Sequence, residues 1–415
     1  MTGADAGGEA RTAARGPGGA GQAWLWLAIW VVTRALTVAE VGFWWSRGPR
    51  LEDVARYDAW SHHLTQLLAF PDGPAWQYPP GAGLLMLLPR LAPFGYGEAF
   101  VALMLVADLV GLVLLARLGR ESGNRTGVWV WLLAMPLLGP FAVLRFDLVP
   151  TVIVIGALLV VHRRPGRFGA LAGLGAAIKL WPALLLFAEW QRSRLRTAVL
   201  AALAVGALVL VASTIAFGDS VGFLTNGGDR GLQEEAVATI PWQVGQIVSG
   251  DPYAREIRFG AWEVAGGVAG DVANLLRVLS LAALLAAATW WWLRARAIRA
   301  GRAQLGEAAV SRDFVFALVL VIVVVSPVLS TQYMVWLLGL AAVVLSAGSP
   351  RLRRPAWIVV GATAVSTATF RNPELIVLRD LALLAAAVDA TAAMVRALGR
   401  PDEAPAAAAP AAQRL

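Results

Sequence analysis

From Trp24 almost to Ala397 the chain alternates apolar runs with short polar breaks. A run of about 20 apolar residues crosses the roughly 30 Å hydrocarbon core of a bilayer as a helix. The runs are Trp24 to Trp45, Gly97 to Leu115, Val128 to Phe141, Leu148 to Val161, Thr197 to Phe217, Val272 to Leu293, Phe314 to Ser326, Tyr333 to Ser346, Ala356 to Phe370 and Leu375 to Val395. A further short run, Pro80 to Pro93, opens on two prolines and contains Arg90, which marks a re-entrant or interfacial helix rather than a crossing.

The arginines orient these runs. Clusters at Arg117/Arg120/Arg125, Arg163/Arg164/Arg167, Arg192/Arg194/Arg196, Arg294/Arg296/Arg299/Arg302 and Arg351/Arg353/Arg354 join Arg11/Arg15 and Arg396/Arg400 on the cytoplasmic side by the positive-inside rule. An even number of crossings must then separate neighbouring clusters. Only 24 residues lie between Arg167 and Arg192, so a short hairpin is predicted there, turning at Lys179-Leu180-Trp181-Pro182 because proline disfavours helix before it. The expectation is an all-α integral membrane protein of about twelve transmembrane helices, with both termini cytoplasmic and short interfacial helices in external loops at about 46–96 and 218–271. One polytopic domain, 23–397, lies between disordered ends at 1–22 and 398–415.

Composition agrees. Of 415 residues 58% are hydrophobic and 15% charged, with mean hydropathy +0.65, far from a soluble domain. The net charge of +8 sits in the topogenic clusters rather than along one face, so no nucleic-acid partner is expected. With no cysteine, disulfides, thiolate metal sites and a cysteine nucleophile are excluded.

Polar groups converge in the loops assigned outside. Asp58, in Arg56-Tyr57-Asp58, begins an amphipathic helix after the first run, and a carboxylate at a membrane surface suits a general base acting on a hydroxyl; a solvated helix acid is the plainer reading. Asp147 follows Arg145 at the start of a run, either as a helix cap or to orient an acceptor. Lys179 is the single lysine, inside an apolar stretch, where an ammonium can serve a phosphate or snorkel to the interface. Arg230 and Gln233 stand in Gly227-Gly228-Asp229-Arg230-Gly231-Leu232-Gln233-Glu234-Glu235, either a solvated polar loop or a guanidinium fork among glycines that binds phosphate. Tyr78, in Trp76-Gln77-Tyr78-Pro79-Pro80, either belongs to an interfacial belt or stacks on a sugar. Adjacent His62 and His63 point about 100° apart on a helix, and no Asp-x-Asp pair occurs, so no obligatory metal is expected.

These pieces, in order, carry a resemblance. Arg56-Tyr57-Asp58, Tyr78-Pro79-Pro80, Gly173 to Pro182 and Arg230-Gly231-Leu232-Gln233 followed by acids resemble glycosyltransferase family 87, also called DUF2029, within the multi-spanning GT-C superfamily. Ser326-Pro327-Val328-Leu329-Ser330-Thr331-Gln332-Tyr333 resembles that family's Ser-Pro-Gln-Tyr segment with extra residues. The resemblance implies a GT-C-type bundle in the plasma membrane that moves mannose or arabinofuranose, with inversion, from a polyprenyl-phosphate donor to a glycolipid or glycan of the cell envelope, on the outer face. It implies Asp58 as the catalytic base, and Tyr78, His62, Arg145, Asp147, Lys179, Arg230, Gln233 and Gln332 as substrate-binding residues. The rival reading is a transporter or lipid-linked-sugar flippase, which would favour an internal repeat; none is seen in the sequence.

Overall fold

The computed structural model describes residues 18–45, 52–71, 73, 76–226, 230–302, 308–367 and 372–398. The termini 1–17 and 399–415, the Gly227-Gly228-Asp229 run and Arg371 lie outside the described residues. The first helix already begins at Gly18, so residues 18–22, expected to be disordered, are helical.

In chain order the helices are α1 (Gly18–Trp45), α2 (Glu52–Gln66), α3 (Pro80–Leu87), α4 (Tyr96–Ser122), α5 (Thr126–Ala134), α6 (Leu148–Val160), α7 (Pro165–Ile178) and α8 (Arg192–Phe217). They continue as α9 (Phe223–Asn226), α10 (Ile240–Ser249), α11 (Gly267–Arg299), α12 (Ala308–Val324), α13 (Met334–Ala347), α14 (Arg353–Ser366) and α15 (Pro373–Leu398). The all-α expectation needs one correction. β1 (Arg255–Arg258) and β2 (Ala261–Val264) form an antiparallel hairpin, because Phe259-Gly260 takes the positive φ values, 52° and 73°, that a two-residue turn requires.

Each apolar run named above falls on helix over most of its described length, the Ala356 to Phe370 run being described only to Thr367. Among the described residues, α4, α8, α11, α15 and the Gly21–Phe43 part of α1 are each long and apolar enough to cross a bilayer alone. The remaining predicted crossings fall on shorter helices. The outward faces of α8 and α11 expose Leu203, Leu208, Ile215, Leu275, Val278 and Leu285. Rows of this kind belong against lipid, and the chain is a membrane protein. At the centre α13 is buried from Met334 to Ser346 and packs on α4, α5, α6, α12 and α14.

Two features fix the half of the bundle that carries the polar groups. Arg34 of α1 is buried in an ion pair with Asp108 of α4 (2.7 Å) and donates to the carbonyls of Trp131 and Leu132, so this intramembrane charge is internally satisfied. The second is the hairpin predicted around Lys179. α7 spans about 21 Å at 1.5 Å per residue, stops at Ile178, and gives way at Lys179 to extended backbone (φ −153°, ψ 134°) before a short 3-10 helix, Trp181–Ala188. The far end of that 3-10 helix is held by His162, which bridges Glu189 (3.0 Å) and Ser311 (2.6 Å).

Small residues let α7 lie against α8. Gly169 and Gly173, one turn apart, face Ala198 and Ala202, and a Cβ at Gly169 would fall 1.9 Å from the Ala198 carbonyl oxygen. Gly169→Val is therefore expected to push α8 away, costing about 1–3 kcal/mol or more. A fluorescence-detected thermal melt in detergent checks this, and an unchanged midpoint would contradict the packing.

Candidate active site

The helix α2 is oriented by aromatic packing. Buried Tyr57 meets Phe100 (5.4 Å between ring centres) and Phe146 (5.5 Å), and Trp60 meets Trp76 (5.4 Å). That face turns Asp53 and Arg56 inward to a cavity of about 400 Å³. Its walls also hold Tyr78, Arg145, Lys179, Trp181, Arg230, Gln233, Phe259, Gln332, Tyr333 and Trp336. Seven of the nine residues singled out from the sequence thus belong to this site: six line it, and Asp147 sits immediately behind Lys179.

Asp58 and His62 do not reach it. Asp58 lies five residues beyond Asp53, about 140° around the helix at 100° per residue. It accepts a short ion pair from Arg90, whose guanidinium also donates to Ser61 (2.7 Å). Its side chain is 38% exposed, against 16% for Asp53. His62, one turn further on, points the same way, with Nε2 at 3.9 Å from Asp58. The carboxylate that the structure brings to the cations is Asp53, not Asp58. The signal was available in the helical period: Val54, Tyr57, Trp60, Ser61 and Leu64 make the buried face, leaving Ala55, Ala59 and His62 outside.

Asp53 is held at both oxygens. Oδ2 receives a short contact from Arg145, and Oδ1 lies 3.5 Å from Arg56. Arg145 arrives from the turn after a kinked 3-10 helix, Met135–Ala142, broken at Gly139 and Pro140. Opposite, Lys179 donates to Asp147 (2.5 Å), whose carboxylate is 1% exposed and also accepts from Trp336 (2.6 Å). The rings of Tyr78, Phe146, Tyr333 and Trp336 surround the ammonium, with centres 4.8–5.8 Å away. Burial pushes the Tyr78 hydroxyl up to about 12, helped by the negative charge of Asp147, so the phenol stays protonated and can donate.

The β-hairpin closes the third side. Backbone bonds from Val264 to Leu232 (2.8 Å) and from Glu234 to Trp262 (2.9 Å) stitch β2 to the Arg230–Glu235 segment. The turn Phe259-Gly260 reaches over Arg56, so closely that a Cβ at Gly260 would lie 2.4 Å from a guanidinium nitrogen. Arg230 faces the Phe259 ring at 5.9 Å, and no carboxylate pairs with it among the described residues. Gln332 is 7% exposed, and its carboxamide oxygen has no partner among the described residues. Such an acceptor asks for a ligand donor.

Arg56, Arg145, Lys179 and Arg230 thus outnumber the carboxylates Asp53 and Asp147 around one cavity. Positive charge, hydrogen-bonding amides and aromatic faces together suit a phosphorylated, hydroxyl-rich ligand. The sequence profile of Glycosyltransferase family 87 matches residues 76–327, most of the chain. The chain belongs to glycosyltransferase family 87. It is accordingly a glycosyltransferase, and the matched stretch carries Tyr78, Arg145, Asp147, Lys179, Arg230 and Gln233, while Asp53 precedes it and Gln332 follows it. No curated protein matches the chain. Among solved structures the chain is similar to ArnT from Cupriavidus metallidurans bound to undecaprenyl phosphate. The identity is 13% over 92% of this chain and 78% of that one, with a TM-score of 0.48.

Proposed function

We propose that this family 87 enzyme moves a sugar from a polyprenyl-phosphate donor to a hydroxyl acceptor, with inversion, on the face of the membrane away from the arginine clusters. The observation that carries this reading is the meeting of Asp53 with Arg230 and Lys179 in one cavity, at the ends of the helices opposite Arg117, Arg163 and Arg194. The ArnT structure, bound to undecaprenyl phosphate, supports the class of donor.

In this mechanism Asp53 takes the proton of the acceptor hydroxyl through Oδ1, the less tightly engaged oxygen. The acceptor oxygen attacks the anomeric carbon as the bond from that carbon to the phosphate oxygen breaks. Its electron pair stays on the leaving polyprenyl phosphate. The extra negative charge appears in the transition state, where Arg230 and Lys179 stabilise it more than they stabilise the donor. Gln233, Gln332 and Tyr78 bind sugar hydroxyls. The acceptor is proposed to be an envelope glycolipid or glycan, and the sugar mannose or arabinofuranose. The side-chain cations take the role a metal ion would otherwise fill.

Purified protein incubated with labelled polyprenyl-phosphate sugars, with and without EDTA, tests this. Transfer from one donor class, unaffected by EDTA, is expected. Transfer from nucleotide sugars alone would overturn the donor assignment, and loss with EDTA would overturn the metal-independent mechanism.

A further inference from the structure

A buried arginine outside the cavity fastens two of its walls together. Arg379 of α15 is fully buried. Its Nε donates to Asp380 (2.8 Å), one terminal nitrogen to the Glu235 carboxylate (2.9 Å) and the other to the Glu235 backbone carbonyl (2.7 Å). The same Glu235 oxygen accepts from the Thr331 hydroxyl at 3.0 Å. Glu235 lies two residues after Gln233, and Thr331 immediately precedes Gln332. A further backbone bond, Gln233 N–H to the Pro327 carbonyl (2.9 Å), joins the two segments.

From this geometry we propose that Arg379 is a positioning residue that holds Gln233 and Gln332 in register across the sugar-binding wall. A planar fork fixes two directions at once, which a lysine or a water cannot do. A buried charge network is also a poor choice for stability alone, since apolar side chains of the same volume often serve better. What the network supplies here is a shared anchor, with one Glu235 carboxylate oxygen joining the cavity loop both to Arg379 of α15 and to the segment after α12. Gln332 can use its open carboxamide oxygen only if it is held within hydrogen-bonding distance of the sugar. The Arg230 end of the loop is tethered separately, through Gly231 N–H to Glu263 (3.0 Å) and through Arg277 to the Arg230 carbonyl. Arg379 therefore governs the sugar side rather than the phosphate side, an inference that rests on the donor class proposed above.

The chain contains no cysteine, so Ser330→Cys, at the cavity wall, gives a clean reporter. In that background three changes are compared: Thr331→Val, which removes one hydrogen bond and buries no charge; Arg379→Lys; and the charge-neutral pair Arg379→Met with Asp380→Asn. Maleimide labelling of residue 330 is expected to quicken roughly fivefold or more in the neutral pair, as the segment opens locally, and less in the other two. In the cysteine-free protein, KM for the lipid-linked sugar donor is expected to rise roughly tenfold, the scale of a misplaced binding group. The thermal shift given by undecaprenyl phosphate, which lacks the sugar, is expected to stay as in the parent, and Arg379→Lys recovers part of the KM. Parent-like labelling and KM in both Thr331→Val and the neutral pair would overturn the proposal, as would a loss confined to undecaprenyl phosphate binding. If no polyprenyl-linked donor is used at all, the donor assignment falls, and the labelling rates still decide whether Arg379 holds the wall.

Discussion

Asp53→Asn is expected to fold, bind donor and transfer almost nothing, with kcat lower by about 10²–10⁴, the usual contribution of a general base. Asparagine keeps the size of the side chain and an acceptor oxygen for Arg145, so the cavity wall stays in place while the proton acceptor is lost. Asp58→Asn is the control that separates the two aspartates on α2. The Asp58 carboxylate pairs with Arg90 outside the cavity, so its loss is expected to leave kcat near that of the parent. The measurement is single-turnover transfer from a labelled donor, with melting midpoints to confirm folding. An inactive Asp58→Asn beside an active Asp53→Asn would reverse the assignment and require α2 to rotate by about 140° in the working enzyme.

That contrast shows how far the sequence could be read. The apolar runs located the bundle, each overlapping a helix and five of those helices long enough to cross alone among the described residues, because hydrocarbon leaves the backbone no alternative. Parity of the arginine clusters asked for a hairpin between Arg167 and Arg192, and Pro182 placed its turn near Lys179, where α7 does end. Charge rarity pointed to Lys179, Arg145 and Asp147 because an ionisable side chain among apolar ones must have a partner; each has one. The helical period of α2 separates Asp53 from Asp58, but what the buried face of Tyr57 and Trp60 packs on, Phe100, Phe146 and Trp76, is remote in sequence and so was not legible. Phe259 and Gly260 gave no signal, since a four-residue strand pair among membrane helices is too short to show a period. Arg379 lay hidden for a related reason. Its partner Glu235, and Thr331, which donates to the same Glu235 oxygen, are more than 40 positions away, and only folding brings them together.

The second large effect separates two cations that look alike in sequence. Arg230→Gln is expected to fold normally and to lose about 10²–10³ in kcat, the range for removing one group that stabilises transition-state charge. The thermal stabilisation given by undecaprenyl phosphate is expected to fall with it. The reason is that Arg230 faces the cavity without an ion pair to a carboxylate among the described residues, and the buried Glu263, whose charge it favours, keeps the Gly231 N–H and Arg258 when Arg230 is removed. Lys179→Met is expected to fail differently. Asp147 is 1% exposed and relies on the Lys179 ammonium and the Trp336 indole N–H. Removing the ammonium strands that carboxylate among Phe146, Tyr333 and Trp336, a cost of about 3–5 kcal/mol for breaking a buried pair, which appears as a lower melting midpoint before any assay. Adding Asp147→Asn to Lys179→Met should return much of the stability, because no charge then remains unpaired, while transfer stays impaired. A Lys179→Met protein that melts like the parent would show that the aromatic enclosure, rather than the ion pair, holds this wall of the cavity.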